Sequence, residues 1–171
     1  MARLLAEFVT VHRYPDPLST ALRHKLSARL GVDADDIVTG AGSLGALNQI
    51  LKTFAGVNAD GVQDEVIYAW RSFEAYPILI GIMGARSVQV PNLPDGSHDL
   101  DAMAAAITER TRLILVCTPN NPTGPAVTER RIRAFLAKVP AHIPVVIDEA
   151  YFEFCAASTV PDSEEAPLNG M

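Results

Sequence analysis

The chain has 171 residues, 49% of them hydrophobic and 20% charged, which is the profile of one globular domain with a sizeable core. Its net charge of -6 and pI near 5.1 argue against nucleic acid or an anionic membrane as partner, since either demands a basic face. No apolar run approaches the roughly 18 residues of a membrane span, and the histidines (His12, His24, His98, His142) lack the pairing of a zinc site, so no metal is expected.

The opening stretch MARLLAEFVTVHRYPD is broken by Glu7 and has no small-residue cleavage site, so no signal peptide is expected. In PLSTALRHKLSARLGV, Leu18, Leu22, Leu26 and Leu30 recur every fourth residue, which predicts a helix capped by Ser19 or Asp16 and ended by Gly31. DDIVTG predicts a short strand running into a glycine turn, SLGALNQILKTFAG the helix that follows, and DEVIYAW a strand. SFEAYPILIGIMG reads as a mostly buried helix with Gly84 near its end, RSVQVPN as a strand, and LDAMAAAITER as a helix with Asp99 as N-cap. TRLILVCTP is a wholly apolar strand, TERRIRAFLAKV an amphipathic helix and IPVVIDEAY a second wholly apolar strand. The tail, residues 155–171, is small, acidic and aperiodic, as expected of a loop or frayed end. Cys117 and Cys155 sit in or beside apolar runs, which reads as two core thiols in a reducing, cytoplasmic setting.

Strands alternate with helices, and two strands are continuously apolar. This predicts an α/β fold, a three-layer α/β/α arrangement with a mainly parallel sheet. Ligands of such sheets gather beyond the carboxyl ends of the strands. The polar clusters there are Gly42-Ser43, Trp70 to Phe73, Asn120-Asn121 and Asp148 to Tyr151.

Gly40-Ala41-Gly42-Ser43-Leu44-Gly45 satisfies G-x-G-x-x-G. A dinucleotide site also needs an acid about 20 residues on, at the end of a second strand. Asp60 has no strand before it, so an NAD site is disfavoured. Two readings stay open: a turn that needs glycine for its backbone angles, and a monophosphate seat at the helix start formed by Gly42, Ser43 and Leu44. VVIDEA imitates the acidic strand of a nucleotide triphosphatase, but no lysine follows a glycine as that function requires. TPNNPTGP alone reads as a loop.

As a set, PNNPTG, the Asp148 of VVIDEAYFEF and the glycine-serine helix start resemble the fold-type I pyridoxal-phosphate aminotransferases. HRYPDP and AWRSFEAYPI are similar to the histidinol-phosphate branch, in particular its aromatic amino-acid (phenylalanine) members. The resemblance covers about Tyr14 to Phe154. It implies pyridoxal 5'-phosphate as cofactor, an amino acid and a 2-oxo acid as substrates, and a homodimer. It assigns Asp148 to the protonated ring nitrogen, Asn121 and Tyr151 to the phenolic oxygen, and Phe73 to the ring face. Gly42, Ser43 and Leu44 are assigned to the phosphate, and Tyr14 to the phosphate of the neighbouring subunit. The chemistry supports the first assignment: a carboxylate keeps the ring nitrogen protonated, which makes the ring an electron sink.

Two departures stand out. Leu44 replaces an acid common in relatives, and NADGVQDE replaces a short Pro-Gly-Asp turn. Lys25, Lys52 and Lys138 fall on predicted helices, and none matches the family's Schiff-base lysine. No catalytic residue is therefore expected within residues 1–171, which read as an incomplete large domain lacking the N-terminal arm, the lysine segment and the small C-terminal domain. Two functions follow: a transaminase chain inactive alone, or a non-catalytic binding or interaction unit derived from one.

Overall fold

The computed structural model describes residues 13–154, and the chain divides into two units, Met1–Thr39 and Gly40–Met171. Cys155 and the tail lie outside the described residues.

In the first unit, helix α1 (Thr20–Leu30) starts where Asp16 accepts the backbone N–H groups of Leu18 (2.9 Å) and Thr20 (2.8 Å). Ser19 occupies the cap position without a side-chain bond, and the Asp16 carboxylate supplies the capping bond in its place. Gly31 ends the helix at φ 69°, a left-handed angle that suits glycine. The leucine repeat does make a helix, yet Leu18, Leu22 and Leu30 are exposed and no residue of α1 is buried. The strand expected in DDIVTG is absent. Ala34–Asp36 forms a single 3-10 turn, with Asp33 accepting from the Asp35 N–H at 2.9 Å. This local side-chain bond competes with extended pairing. Ile37 is extended, but no ladder partner faces it among the described residues.

In the second unit, the elements run α2 (Gly42–Phe54), β1 (Glu65–Trp70), α3 (Ala75–Ile82), β2 (Arg86–Pro91), α4 (Leu100–Ala105), β3 (Thr111–Cys117), α5 (Glu129–Leu136) and β4 (Val145–Asp148). The last described residues make a 3-10 turn, Phe152–Phe154. The four strands form one parallel sheet in the order β2-β1-β3-β4.

Side chains alternate between the two faces, and each face carries its own core. Val66, Tyr68, Leu113, Leu115 and Cys117 pack with Leu47 and Leu51 of α2 and with Tyr76 and Ile80 of α3. Ile67, Ala69, Ile114 and Val116 pack on the other face with Leu100 and Met103 of α4 and with Ile132 and Phe135 of α5. The three-layer α/β/α reading holds. One refinement concerns β4: all four of its residues are only half-buried, because the strand has a neighbour on one side only among the described residues. Apolar composition reported its two covered faces, not its open edge.

At the amino ends of the strands, the 2%-exposed Glu65 accepts from Arg110 (2.7 Å), Arg86 (3.1 Å) and the Thr108 hydroxyl (2.6 Å). This carboxylate ties β1 to both of its neighbours. In NADGVQDE, Asn58 Oδ1 accepts from the N–H groups of Asp60 and Val62 and closes a compact turn.

Candidate functional site

From β1 the chain passes to β2 on one side, then returns to lay β3 on the other side. Loops leaving β1 and β3 therefore diverge, and a crevice opens beyond their carboxyl ends. A cleft lies there, lined by Ser43, Phe73, Cys117, Asn121, Asp148, Ala150 and Tyr151.

Its floor begins at α2. Gly42 has φ 69°, and Ala41 at the N-cap offers no capping side chain. Ala41 thus gives the first turn of α2 no capping bond of its own, and Ser43 in that turn lines the cleft, an arrangement suited to an anion seat. Gly40 and Gly45 serve a different need. A Cβ on Gly40 would stand 2.5 Å from the Ala46 nitrogen and 2.8 Å from the Gly45 carbonyl carbon. The G-x-G-x-x-G pattern is in part a close backbone approach, as the turn reading holds. This leaves Gly42, Ser43 and Leu44 open to an anion.

One wall follows β1. Phe73 meets Tyr76 edge to face, with ring centroids 5.6 Å apart. Tyr76 is fully buried and its hydroxyl donates to Asp148 Oδ2 at 2.7 Å. Burial above all, reinforced by Cys117 and Asp148, pushes this phenol far above its usual range, so it remains a donor. The opposite wall follows β3: Cys117 ends the strand, and burial raises its thiol. Asn121 comes four residues on, beside the 3%-exposed Asn120.

Asp148 closes the cleft at the end of β4, its Oδ1 accepting from the Ala150 N–H at 3.2 Å. Its charge adds to burial in raising the neighbouring Glu149. Tyr151 is exposed at the rim and lies 6.2 Å from the ring of Phe154.

Of the residues expected from the sequence, the cleft brings together Ser43, Phe73, Asn121, Asp148 and Tyr151. Gly42 and Leu44 flank Ser43 in the first turn of α2, and Leu44 is exposed. Tyr14 belongs to the first unit and is fully exposed. None of Lys25, Lys52 and Lys138 lines the cleft. Lys138, expected on a helix, lies past the end of α5 and pairs with Asp101 at 2.6 Å. Sequence reasoning missed Tyr76, which stands in the first turn of α3, three positions after Phe73 in the loop before it. It also gave Cys117 a core role only.

The donor set suits a phosphate-bearing aromatic ligand. A residue of a helix's first turn, a carboxylate, an aromatic ring, an amide and a phenol line one cleft. Fold and cleft together define an α/β protein with a polar cleft at the reversal of strand order. The family model of aminotransferase class I and II matches residues 1–168, and the chain belongs to that family. It is 52% identical over 165 residues to an aromatic amino acid aminotransferase of Streptomyces coelicolor, covering 96% of this chain and 45% of that protein. A Nocardia farcinica protein of the same name is 48% identical, covering 98% of this chain and 47% of the relative. The chain thus spans about half the length of the curated relatives it matches. Histidinol-phosphate aminotransferase from Sinorhizobium meliloti, solved with pyridoxal-5'-phosphate, superposes with a TM-score of 0.78 at 26% identity. That match covers 91% of this chain and 41% of the other.

Proposed function

We propose that residues 1–171 are an incomplete cofactor-holding domain, its front half, of an aminotransferase of the aromatic amino-acid or histidinol-phosphate type. The cofactor is pyridoxal 5'-phosphate, the substrates an amino acid and a 2-oxo acid, and the setting cytoplasmic. The observation that carries this reading is the single cleft shared by Ser43, Phe73, Asn121, Asp148 and Tyr151. The names of the relatives support the reaction class.

When bound, the cofactor supplies an electron sink for the carbon bearing the amino group. This chain's residues supply its setting. Asp148 would hold a proton on the ring nitrogen by charge at short range, and the Tyr76 hydroxyl fixes one of its carboxylate oxygens. Asn121 and Tyr151 would donate to the phenolic oxygen, and Phe73 would shield the ring from water. The N–H groups of Gly42, Ser43 and Leu44 would hold the phosphate, assisted by the Ser43 hydroxyl. Since no lysine lines the cleft, we assign the Schiff-base lysine to residues outside these 171. Tyr14, exposed in the first unit, is assigned to the phosphate of a second copy in a homodimer.

Titration of the chain with pyridoxal 5'-phosphate tests the seat. Saturable binding is expected, with Asp148→Ala weakening it at least about tenfold and Ser43→Ala about threefold, as befits a charge-assisted and a neutral bond. No saturable binding by the parent chain, or equal binding by the parent and both variants, would overturn the assignment.

A further inference from the structure

The cleft walls are held apart by a closed polar network behind them. Asn120 is 3% exposed, and every polar group of its side chain is engaged. Its Oδ1 accepts from the Ser72 hydroxyl at 2.6 Å, with Ser72 itself 1% exposed. Its Nδ2 donates to the Arg71 carbonyl at 2.9 Å and to Thr123 Oγ1 at 2.6 Å. Thr123 Oγ1 in turn donates to the Gly96 carbonyl at 2.7 Å. Asn92 Nδ2 donates to the same Arg71 carbonyl at 2.7 Å. The Asn120 amide therefore bridges the loops after β1 and β3, and the Thr123 hydroxyl and the Asn92 amide extend the network to the loop after β2.

The sequence neighbours of this bridge are the cleft residues themselves: Ser72 precedes Phe73, and Asn120 precedes Asn121. Strand-order reversal makes these loops diverge, and the backbone pairing of β1 with β3 ends at Tyr68 and Leu115. Beyond those points, side-chain bonds must set the separation. We propose that Asn120 is a positioning residue that fixes the gap between Phe73 and Asn121, and so the width available to a planar ring. This rests on the cofactor reading above and adds a residue to it. Asparagine is required because the bridge needs one acceptor and two donor hydrogens on a single planar group. Aspartate matches its shape but turns an oxygen toward the Arg71 carbonyl.

Trp70 is the only tryptophan, and the Arg71 guanidinium lies 5.4 Å from its ring. Its fluorescence therefore reports the clamped loop without any cofactor. The experiment compares the parent chain with Asn120→Asp, Ser72→Ala and Glu65→Gln, the last at the opposite ends of the strands. Each is assayed by thermal melting, acrylamide quenching of Trp70 and pyridoxal 5'-phosphate titration. Asn120→Asp should weaken binding at least about tenfold and raise quenching. Ser72→Ala, losing one bond, should weaken it about threefold with the fold intact. Glu65→Gln should lower the melting temperature yet bind within about twofold of the parent. Unchanged quenching in both clamp variants would overturn the proposal, whether or not the parent binds the cofactor. So would Glu65→Gln weakening binding as much as Asn120→Asp does. A parent that does not bind overturns the cofactor reading instead, and the quenching arm still decides the clamp.

Discussion

The Tyr76 hydroxyl, carried on α3, reaches the carboxylate of Asp148 at the end of β4, 2.7 Å away. The bond spans the cleft's base and leaves one carboxylate oxygen directed by protein and the other near the Ala150 N–H. Removing the hydroxyl in Tyr76→Phe keeps the ring packing against Phe73 and Tyr68. Cofactor affinity should fall about threefold to tenfold, while unfolding free energy changes by about 1 kcal/mol. Titration alongside urea unfolding separates the two, and unaltered affinity would show that Asp148 needs no such support.

Gly40 and Gly42 should answer differently to alanine. At Gly40 the new methyl would stand 2.5 Å from backbone, so the start of α2 must shift. A loss of about 2 kcal/mol or more is expected. At Gly42 nothing lies within 4 Å, and the cost is the left-handed φ of 69° alone, about 1–2 kcal/mol. Denaturant midpoints rank the pair; a reversed order would mean that backbone contact does not set the turn.

His98 makes stability pH-dependent. Its Nε2 donates to the Cys117 carbonyl at 2.8 Å. Burial lowers its pKa from 6.5, outweighing that bond, and the Arg131 charge lowers it further. The folded state then binds fewer protons than the unfolded chain between the depressed value and 6.5. Stability should therefore fall as the pH drops below 6.5 and level off below the folded pKa. His98→Gln should remove this slope, read as the difference between the two proteins' unfolding curves across that window. An identical slope in the variant would assign the proton uptake elsewhere.

Glu65 tests the far end of the sheet. Alanine there strands the Thr108 hydroxyl and removes the acceptor shared by Arg86 and Arg110. Both arginines are about half exposed and regain water, so the loss should be about 2 kcal/mol, below that of a fully buried pair. Chemical denaturation measures it. A loss under about 0.5 kcal/mol would show the cluster to be ornamental.

Among the described residues, periodicity located the five α-helices and the four strands; α2 to α5 each have an apolar face that the sheet covers, whereas α1 carries its leucine repeat with no residue buried. It misread Ile37 to Gly40, since a strand exists only with a partner and Asp33 offered the backbone a local one. It overstated the burial of β4 for a related reason: composition reports faces, and exposure here enters through an edge. Of the cleft residues, Ser43, Phe73, Asn121, Asp148 and Tyr151 were legible through motif chemistry. Tyr76 and the bridge through Asn120 were not, because a buried tyrosine or asparagine looks like core or turn until its partner, distant in sequence, is known.

β4 is four residues long, half-exposed and paired on one side among the described residues, yet it delivers the acid of the cleft. The most consequential charge thus rides on a weakly anchored rung, one expected to open at a small fraction of the global unfolding energy. A ligand gripping both that acid and the start of α2 would act as a latch across the sheet. On adding it, exchange of the Val146 and Ile147 amide hydrogens should slow by a larger factor than that of β1, whose protection is already intrinsic.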